Sequence, residues 1–177
     1  MSHLILIGFK HVGKSVIGQA LAKALNLPYL DTDREIERIH FEKSGDSLSC
    51  RQIAEKFGLD YFRDLESEAL VSLLARVEPQ VLSTGGGTPI RNGNRDRIKE
   101  HTVIHVQAPK GHVYERILSD GRPAFCPPGS EPLIALQKIW EEREPVYRAL
   151  ANISIVNDGT IDKAVERIIE AVSVRTL

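Results

Sequence analysis

Cysteine is nearly absent from this chain, with Cys50 and Cys126 its only two. They are too few and too far apart to staple a fold or hold zinc, so they read as free thiols in a reducing compartment, and cytoplasmic residence is the expectation. An excess of one charge is missing as well. Lys plus Arg number 23 and Asp plus Glu 24, which leaves no broad basic face for nucleic acid or an anionic membrane. Any bound anion must be held by local geometry. No long hydrophobic run opens the chain: the apolar stretch Leu4, Ile5, Leu6, Ile7 falls far short of the roughly 7 to 15 residues of a signal segment and reads as a buried strand. The 6 histidines show no metal-ligand spacing and no G-x-S-x-G elbow occurs, which argues against zinc enzymes and serine hydrolases. The N-K-x-D element of guanine-specific switch proteins is also missing, so adenine is the better base.

What is present fits one compact domain. The chain has 177 residues, 42% hydrophobic and 27% charged, enough for one good core and too few for two full-sized domains. Short apolar runs alternate with stretches of helical period, the pattern of parallel strands joined by crossover helices. Five strands are expected, over residues 4–7, 28–30, 81–83, 103–106 and 153–156. A helix over 14–25 would bury Ile17, Leu21, Ala24 and Leu25. Ser49 followed by Gln52 resembles a capping box for a helix ending near Gly58, and a further helix over 60–75 carries Phe62, Leu65, Ala69 and Leu73. Residues 119–132 are rich in turn formers and aperiodic, so a long loop is expected there, of the kind that serves as a lid.

The sharpest chemical signal is Gly8-Phe9-Lys10-His11-Val12-Gly13-Lys14-Ser15, which matches the Walker A pattern G-x-x-x-x-G-K-[ST] between an expected strand and an expected helix. Its glycines let backbone N–H groups wrap the phosphates. Lys14 reaches the β- and γ-phosphates, the Ser15 hydroxyl can ligate Mg²⁺, and the helix N-terminus adds positive potential. The alternative, an ordinary glycine-rich turn, does not require that strand-to-helix setting. Asp31-Thr32-Asp33 follows the second strand, at the carboxyl edge where open α/β folds bind ligands. One carboxylate could hold Mg²⁺ through water while the other orients an acceptor hydroxyl. The plainer alternative is that Asp33 caps a helix over 34–41. Gly85, Gly86 and Gly87 end the third strand, and three glycines there permit close approach of substrate or γ-phosphate, with a tight turn as the alternative. Arg63, Arg122 and Arg143 stand in unusual company, although acidic neighbours of Arg63 and Arg143 also allow surface ion pairs. These residues together point to Mg-ATP binding and transfer of the γ-phosphate to a hydroxyl of a small anionic metabolite.

In order and spacing, six segments resemble the shikimate kinase family. They are the Walker A loop, Asp31-Thr-Asp33-x-x-Ile36-Glu37, Gly58-x-x-x-Phe62-Arg63-x-x-Glu66, Gly85-Gly86-Gly87, Arg122-Pro123 and Arg143-x-Pro145-x-Tyr147. The resemblance implies a P-loop fold of the nucleoside-monophosphate-kinase type, a five-stranded parallel sheet flanked by helices with a lid loop. It implies phosphorylation of the 3-hydroxyl of shikimate by ATP, within aromatic amino-acid biosynthesis, by a monomer with Mg²⁺ as cofactor. By the same resemblance Asp33 contacts the shikimate hydroxyls as base or orienter, and Arg63 and Arg143 clamp the carboxylate. Gly85, Gly86 and Gly87 lie against the substrate, and Arg122 meets the transferring phosphate. Asp31 with Ser15, and Ser83 as a further candidate, organise Mg²⁺. Planar guanidinium forks suit a carboxylate better than ammonium groups do.

The chain departs from the family pattern at several places. His11 stands where another glycine is usual, Val16 where Thr is usual, Leu59 where an acidic residue often follows Gly58, and Ala54 where many relatives carry an aromatic wall. Arg-Pro-Ala-Phe replaces the usual Arg-Pro-Leu-Leu of the lid. Arg116 and the turn from Asn157 to Gly159 are the candidate adenine contacts. Two rival readings remain open at the level of sequence: a P-loop kinase acting on another small polyol acid such as gluconate, and a silent ATP-binding module. Lys14, Ser15, Asp33 and Arg122 argue against the second.

Overall fold

In the computed structural model, which describes residues 2–119 and 131–175, a five-stranded sheet is covered by helices. Strand β1 (Leu4–Ile7) is central and all four of its residues are buried, as a strand covered on both faces must be. The sheet runs in the order β2 (Tyr29–Asp31), β3 (Val81–Ser83), β1, β4 (Thr102–Gln107), β5 (Ile153–Val156), and every described pairing is parallel. Because β3 and β4 flank β1 on opposite sides, the chain order reverses beside β1. The carboxyl end of β1 is therefore a topological switch point, where such sheets leave a crevice.

The first crossover helix, α1 (Lys14–Leu25), follows from the apolar spacing, with Ile17 and Leu21 fully buried; its buried face turns towards Ala22, so Leu25 is only partly covered and Ala24, expected to be buried, is exposed. It stops at Asn26, whose left-handed φ of 53° supplies the terminating conformation. The expected second strand lies one residue further along than its apolar residues suggest, so Asp31 is itself strand residue and helix cap. Its side chain accepts a bond from the Asp33 backbone N–H at 3.0 Å and opens α2 (Thr32–Ser44). The expectation that Asp33 caps this helix is thereby corrected: the helix begins two residues earlier, and the Asp33 carboxylate is free of capping duty. A short helix and a longer one follow. α3 (Cys50–Phe57) starts in a true capping box between Ser49 and Gln52, and α4 (Leu59–Leu74) begins after Gly58.

Beyond β3 come a single 3₁₀ turn (Thr88–Ile90), α5 (Asn92–Ile98), α6 (Lys110–Ser119), α7 (Pro132–Leu150) and α8 (Ile161–Arg175). The loop and lid expected over 119–132 fall mainly outside the described residues, bounded by the ends of α6 and α7. The main core joins the sheet to α1, α7 and α8 through residues such as Ile5, Leu6, Leu82, Ile104 and Ile168. A second, smaller apolar cluster, Ile36, Ile39, Ile53, Leu65 and Ala69, fastens α2, α3 and α4 to one another. It makes this trio a wall beside the switch-point crevice. Among the described residues no helix is long and apolar enough to cross a membrane.

At the opposite edge of the sheet two histidine rings lie 4.6 Å apart, His3 being 1% exposed and donating its backbone N–H to His101 Nδ1 at 3.3 Å. Desolvation, and then the charge of His3, hold the His101 pKa below its ordinary 6.5. The folded state thus binds this proton less readily than the unfolded chain, and the stability present above pH 6.5 is lost as the pH falls through the window just below it. Comparison of urea midpoints at pH 8 and pH 5.5 checks this. His101→Gln should lose less stability on acidification than wild type, and equal losses would show that the pair does not contribute.

Candidate functional site

The crevice beside β1 is a cleft of about 440 Å³. Residues 8–15 enter it as the loop between β1 and α1. Gly8 has no room for a side chain, since a Cβ there would come within 2.3 Å of the Val106 carbonyl oxygen on β4. Gly13 takes φ +99°, a left-handed conformation that turns the loop into the N-terminus of α1. His11 also has a positive φ, 63°, which costs a side-chain-bearing residue roughly 1 to 2 kcal/mol. The departure from glycine at this position is therefore accommodated by the same loop shape at an energetic cost. The loop is tethered from outside by Asn157 Nδ2 donating to Val12 O at 2.9 Å and Arg116 Nη1 donating to His11 O at 3.0 Å.

The Lys14 ammonium folds back over the loop and donates to Gly8 O at 3.0 Å and Phe9 O at 2.7 Å. Burial lowers its pKa to about 8, against the opposing pull of Asp33 and Asp31. An incoming phosphate would replace these carbonyl oxygens with a stronger acceptor. The exposed hydroxyl of Ser15 donates to Asp31 Oδ2 at 3.1 Å. Tyr29 Oη donates to the same oxygen at 2.8 Å, and burial pushes the Tyr29 phenol up to about 12, so it acts as a neutral donor.

Asp33 stands two residues beyond Asp31 and opens onto the cleft. The surrounding protein desolvates its carboxyl and the neighbouring Asp31 charge adds to the effect, together raising its pKa to about 6 despite the attraction of Lys14. Gly85 lies against it: a Cβ there would come within 3.2 Å of Asp33 Oδ1 and 2.9 Å of Glu66 Oε1. The backbone of Gly85 is fixed by its N–H donating to Thr32 Oγ1 at 2.8 Å, and Gly86 by Tyr147 Oη donating to its carbonyl. Gly87 faces the Arg63 guanidinium so closely that a Cβ would lie 2.1 Å from Nη1. That arginine donates to Glu66 Oε2 at 2.6 Å, and Glu66, 1% exposed, also accepts from Thr88 Oγ1 at 2.8 Å. Arg143, half-buried on α7, lies with its guanidinium carbon 6.0 Å from the Phe9 ring centre.

The structure thus brings Lys14, Ser15, Asp31, Asp33, Arg63, Gly85, Gly86, Gly87 and Arg143 to one cleft, along with Phe9, Lys10, His11, Gly13 and Val16 of the loop. Gly8 and Val12 are buried beneath it. Arg116 and Asn157 brace the loop from behind, donating to its carbonyls. Arg122 lies outside the described residues. Arg63 is not a surface ion pair, since its partner Glu66 is buried. The spacing of motifs assigns no roles to Glu66, Thr32, Thr88, Tyr29 and Tyr147, although Thr32, Glu66 and Tyr147 stand inside motifs of the sequence. Their functions depend on contacts across 22 to 61 residues of chain, or on a single phenol, and leave no local pattern. Ala54, Leu59 and Phe62 add apolar surface to the lining of the cleft.

This arrangement can hold a polyphosphate on one side and a small carboxylate-bearing alcohol on the other, with Asp33 between them. A family model described as shikimate kinase matches residues 10–173. A shikimate kinase of Paracidovorax citrulli is 40% identical over 152 residues, covering 85% of this chain and 79% of that protein. One of Ruegeria pomeroyi is 35% identical over 176 residues, covering 97% and 85%. Among solved structures, the shikimate kinase from Acinetobacter baumannii in complex with shikimate matches with a TM-score of 0.87 at 29% identity, covering 100% of this chain and 96% of that one.

Because the Lys14 ammonium donates to loop carbonyls that a ligand or water can also reach, Lys14→Ala should leave far-UV circular dichroism unchanged while phosphoryl transfer from ATP disappears. A folded variant with wild-type turnover would remove the P-loop from the reaction.

Proposed function

The chain belongs to the shikimate kinase family, and on that premise we propose that it transfers the γ-phosphate of ATP to the 3-hydroxyl of shikimate, giving ADP and shikimate 3-phosphate for aromatic amino-acid biosynthesis. The observation that carries the reading is the convergence of Lys14, Asp33, Arg63 and Arg143 on one cleft. The loop N–H groups and Lys14 hold the polyphosphate, and Lys14 exchanges its bonds to Gly8 and Phe9 for bonds to phosphate oxygens. Arg63 and Arg143 take the shikimate carboxylate. Gly87 admits Arg63 because it has no side chain, and the buried Glu66 holds that guanidinium in place. Gly85 and Gly86 bring backbone rather than side chains to the substrate ring.

Asp33 orients the 3-hydroxyl and accepts its proton as the oxygen–phosphorus bond forms. A carboxyl raised to about 6 is a weak base, and that suffices: the transition state of phosphoryl transfer is loose, and the hydroxyl becomes acidic only as the bond forms. Catalysis rests on position and charge instead. The donor set beside the loop fits Mg²⁺, because Ser15 and Asp31 offer hard oxygens and the Ser83 hydroxyl is buried without a partner in register with Asp31. Ser15 would hold the ion directly and Asp31 through water, and the ion supplies neutralisation of charge on the phosphate oxygens. Arg122 meets the transferring phosphate in this reading, as the family motif implies. The enzyme acts in the cytoplasm, in keeping with the free thiol of Cys50.

The clamp is tested by kcat/KM for shikimate and for its uncharged methyl ester. Hydrogen bonds to a charged group contribute roughly 1.5 to 3 kcal/mol, so loss of one fork should lower kcat/KM for the acid about ten- to a hundredfold while the ATP dissociation constant barely moves. Arg143→Ala should show this, and Arg63→Lys should show it too while keeping a cation beside buried Glu66, which Arg63→Ala would strand. Both variants should lose most of the preference for acid over ester. A preference equal to wild type would rule out the clamp, and faster turnover of gluconate than of shikimate would rule out the substrate.

A further inference from the structure

Tyr29 is not part of any motif, yet it reaches the metal side of the cleft. On strand β2, Tyr29 and Asp31 are two residues apart, so their side chains share one face of the sheet. The ring lies against α1 at Gly18, where a Cβ would come within 2.7 Å of Tyr29 Cε2 and 3.0 Å of Ser83 Oγ. The helix therefore carries a notch that seats both the ring and the Ser83 hydroxyl. From this seat the phenol donates to Asp31 Oδ2 at 2.8 Å, while Oδ1 of the same carboxylate accepts the Asp33 N–H at 3.0 Å.

These two bonds fix the carboxylate plane, one at each oxygen. The third, from Ser15 Oγ at 3.1 Å, is the longest and comes from an exposed side chain that must also turn a lone pair to the ion. The Tyr29 ring, seated at Gly18, has no such second task. Without its phenol, Oδ2 would depend on Ser15 alone, and the carboxylate could rotate about its bond to the helix N-terminus as that hydroxyl adjusts to the metal. We propose that Tyr29 is a positioning residue for Mg²⁺-nucleotide binding: its phenol holds Asp31 aimed at the metal's water shell while Ser15 turns to the ion. The inference rests on the assignment of Ser15 and Asp31 to the metal.

Tyr29→Phe keeps the ring in the Gly18 notch and removes only the hydroxyl. Asp31→Asn keeps a side-chain oxygen of good capping character at the start of α2. Isothermal titration of ADP in EDTA and in saturating Mg²⁺ gives, for each protein, the factor by which Mg²⁺ tightens ADP. Tyr29→Phe should reduce that factor severalfold, leaving ADP affinity in EDTA, shikimate affinity and the ligand-free thermal midpoint near wild type. In the Asp31→Asn background the Tyr29→Phe change should have no further effect on the factor, because the phenol acts through Asp31. An undiminished factor in Tyr29→Phe overturns the inference and leaves the metal assignment standing. Equal effects in both backgrounds overturn it as well. If wild-type protein shows no Mg²⁺ dependence of ADP binding, the metal assignment fails and the inference with it.

Discussion

The bonds from Lys14 to the carbonyls of Gly8 and Phe9 govern the geometry of the whole cleft. They join the first residue of α1 to the loop that leaves β1 and fold the ammonium over the place where phosphate binds. A buried ammonium is costly unless its donors are satisfied, and backbone carbonyls provide that satisfaction without a fixed counter-charge. A carboxylate in the same place would have to be displaced by the nucleotide. Carbonyls yield readily to phosphate oxygens, so the loop keeps its shape in the absence of ligand and remains open to it.

Glu66 plays the corresponding part on the acceptor side. It is a fully buried charge at a distance from the phosphate loop, and its two oxygens are divided between Arg63 and Thr88. Buried pairs of this kind add little net stability, because desolvation offsets attraction. What the pair confers is position. Arg63 lies across Gly87 in a space that any side chain at that position would fill, and Glu66 together with Asp33 borders Gly85. The three glycines, Arg63 and Asp33 therefore form one contiguous surface although they come from α2, α4 and the segment after β3.

How much of this was legible depended on the range of the interaction. The phosphate loop, α1 and the capping box of α3 were readable because their determinants lie within a few residues of one another. All five strands were recognisable as apolar runs, with β2 displaced by one residue. That displacement mattered, since it hid the fact that Asp31 serves as cap and left Asp33 to be weighed as one. The roles of Tyr29, Thr32 and Tyr147 could not be read from pattern. Each matters through one hydroxyl aimed at a distant or strand-adjacent acceptor, and nothing in periodicity distinguishes a phenol that donates from one that only fills space.

The charge balance of the cleft explains why its chemistry needs cations that arrive with or after the substrates. Its lining includes Lys10, Lys14, Arg51, Arg63 and Arg143 against Asp31, Asp33 and Glu66, a small positive surplus. A nucleoside triphosphate and a carboxylate acid together bring more negative charge than that surplus offsets. In a desolvated site unbalanced charge is expensive. In the proposed reaction the carboxylates cannot be dispensed with, since Asp33 would take the proton and Asp31 would order the metal's water shell. Additional positive charge would then come from a divalent ion beside Ser15 and from a further arginine, the part the motif around Arg122 is suited to fill. The empty cleft is close to balance, which spares it the self-repulsion of a strongly cationic pocket. In the proposed reaction its full complement of positive charge is reached only once the substrates are bound, so the positive charge is assembled around the phosphate it serves and not in the resting protein.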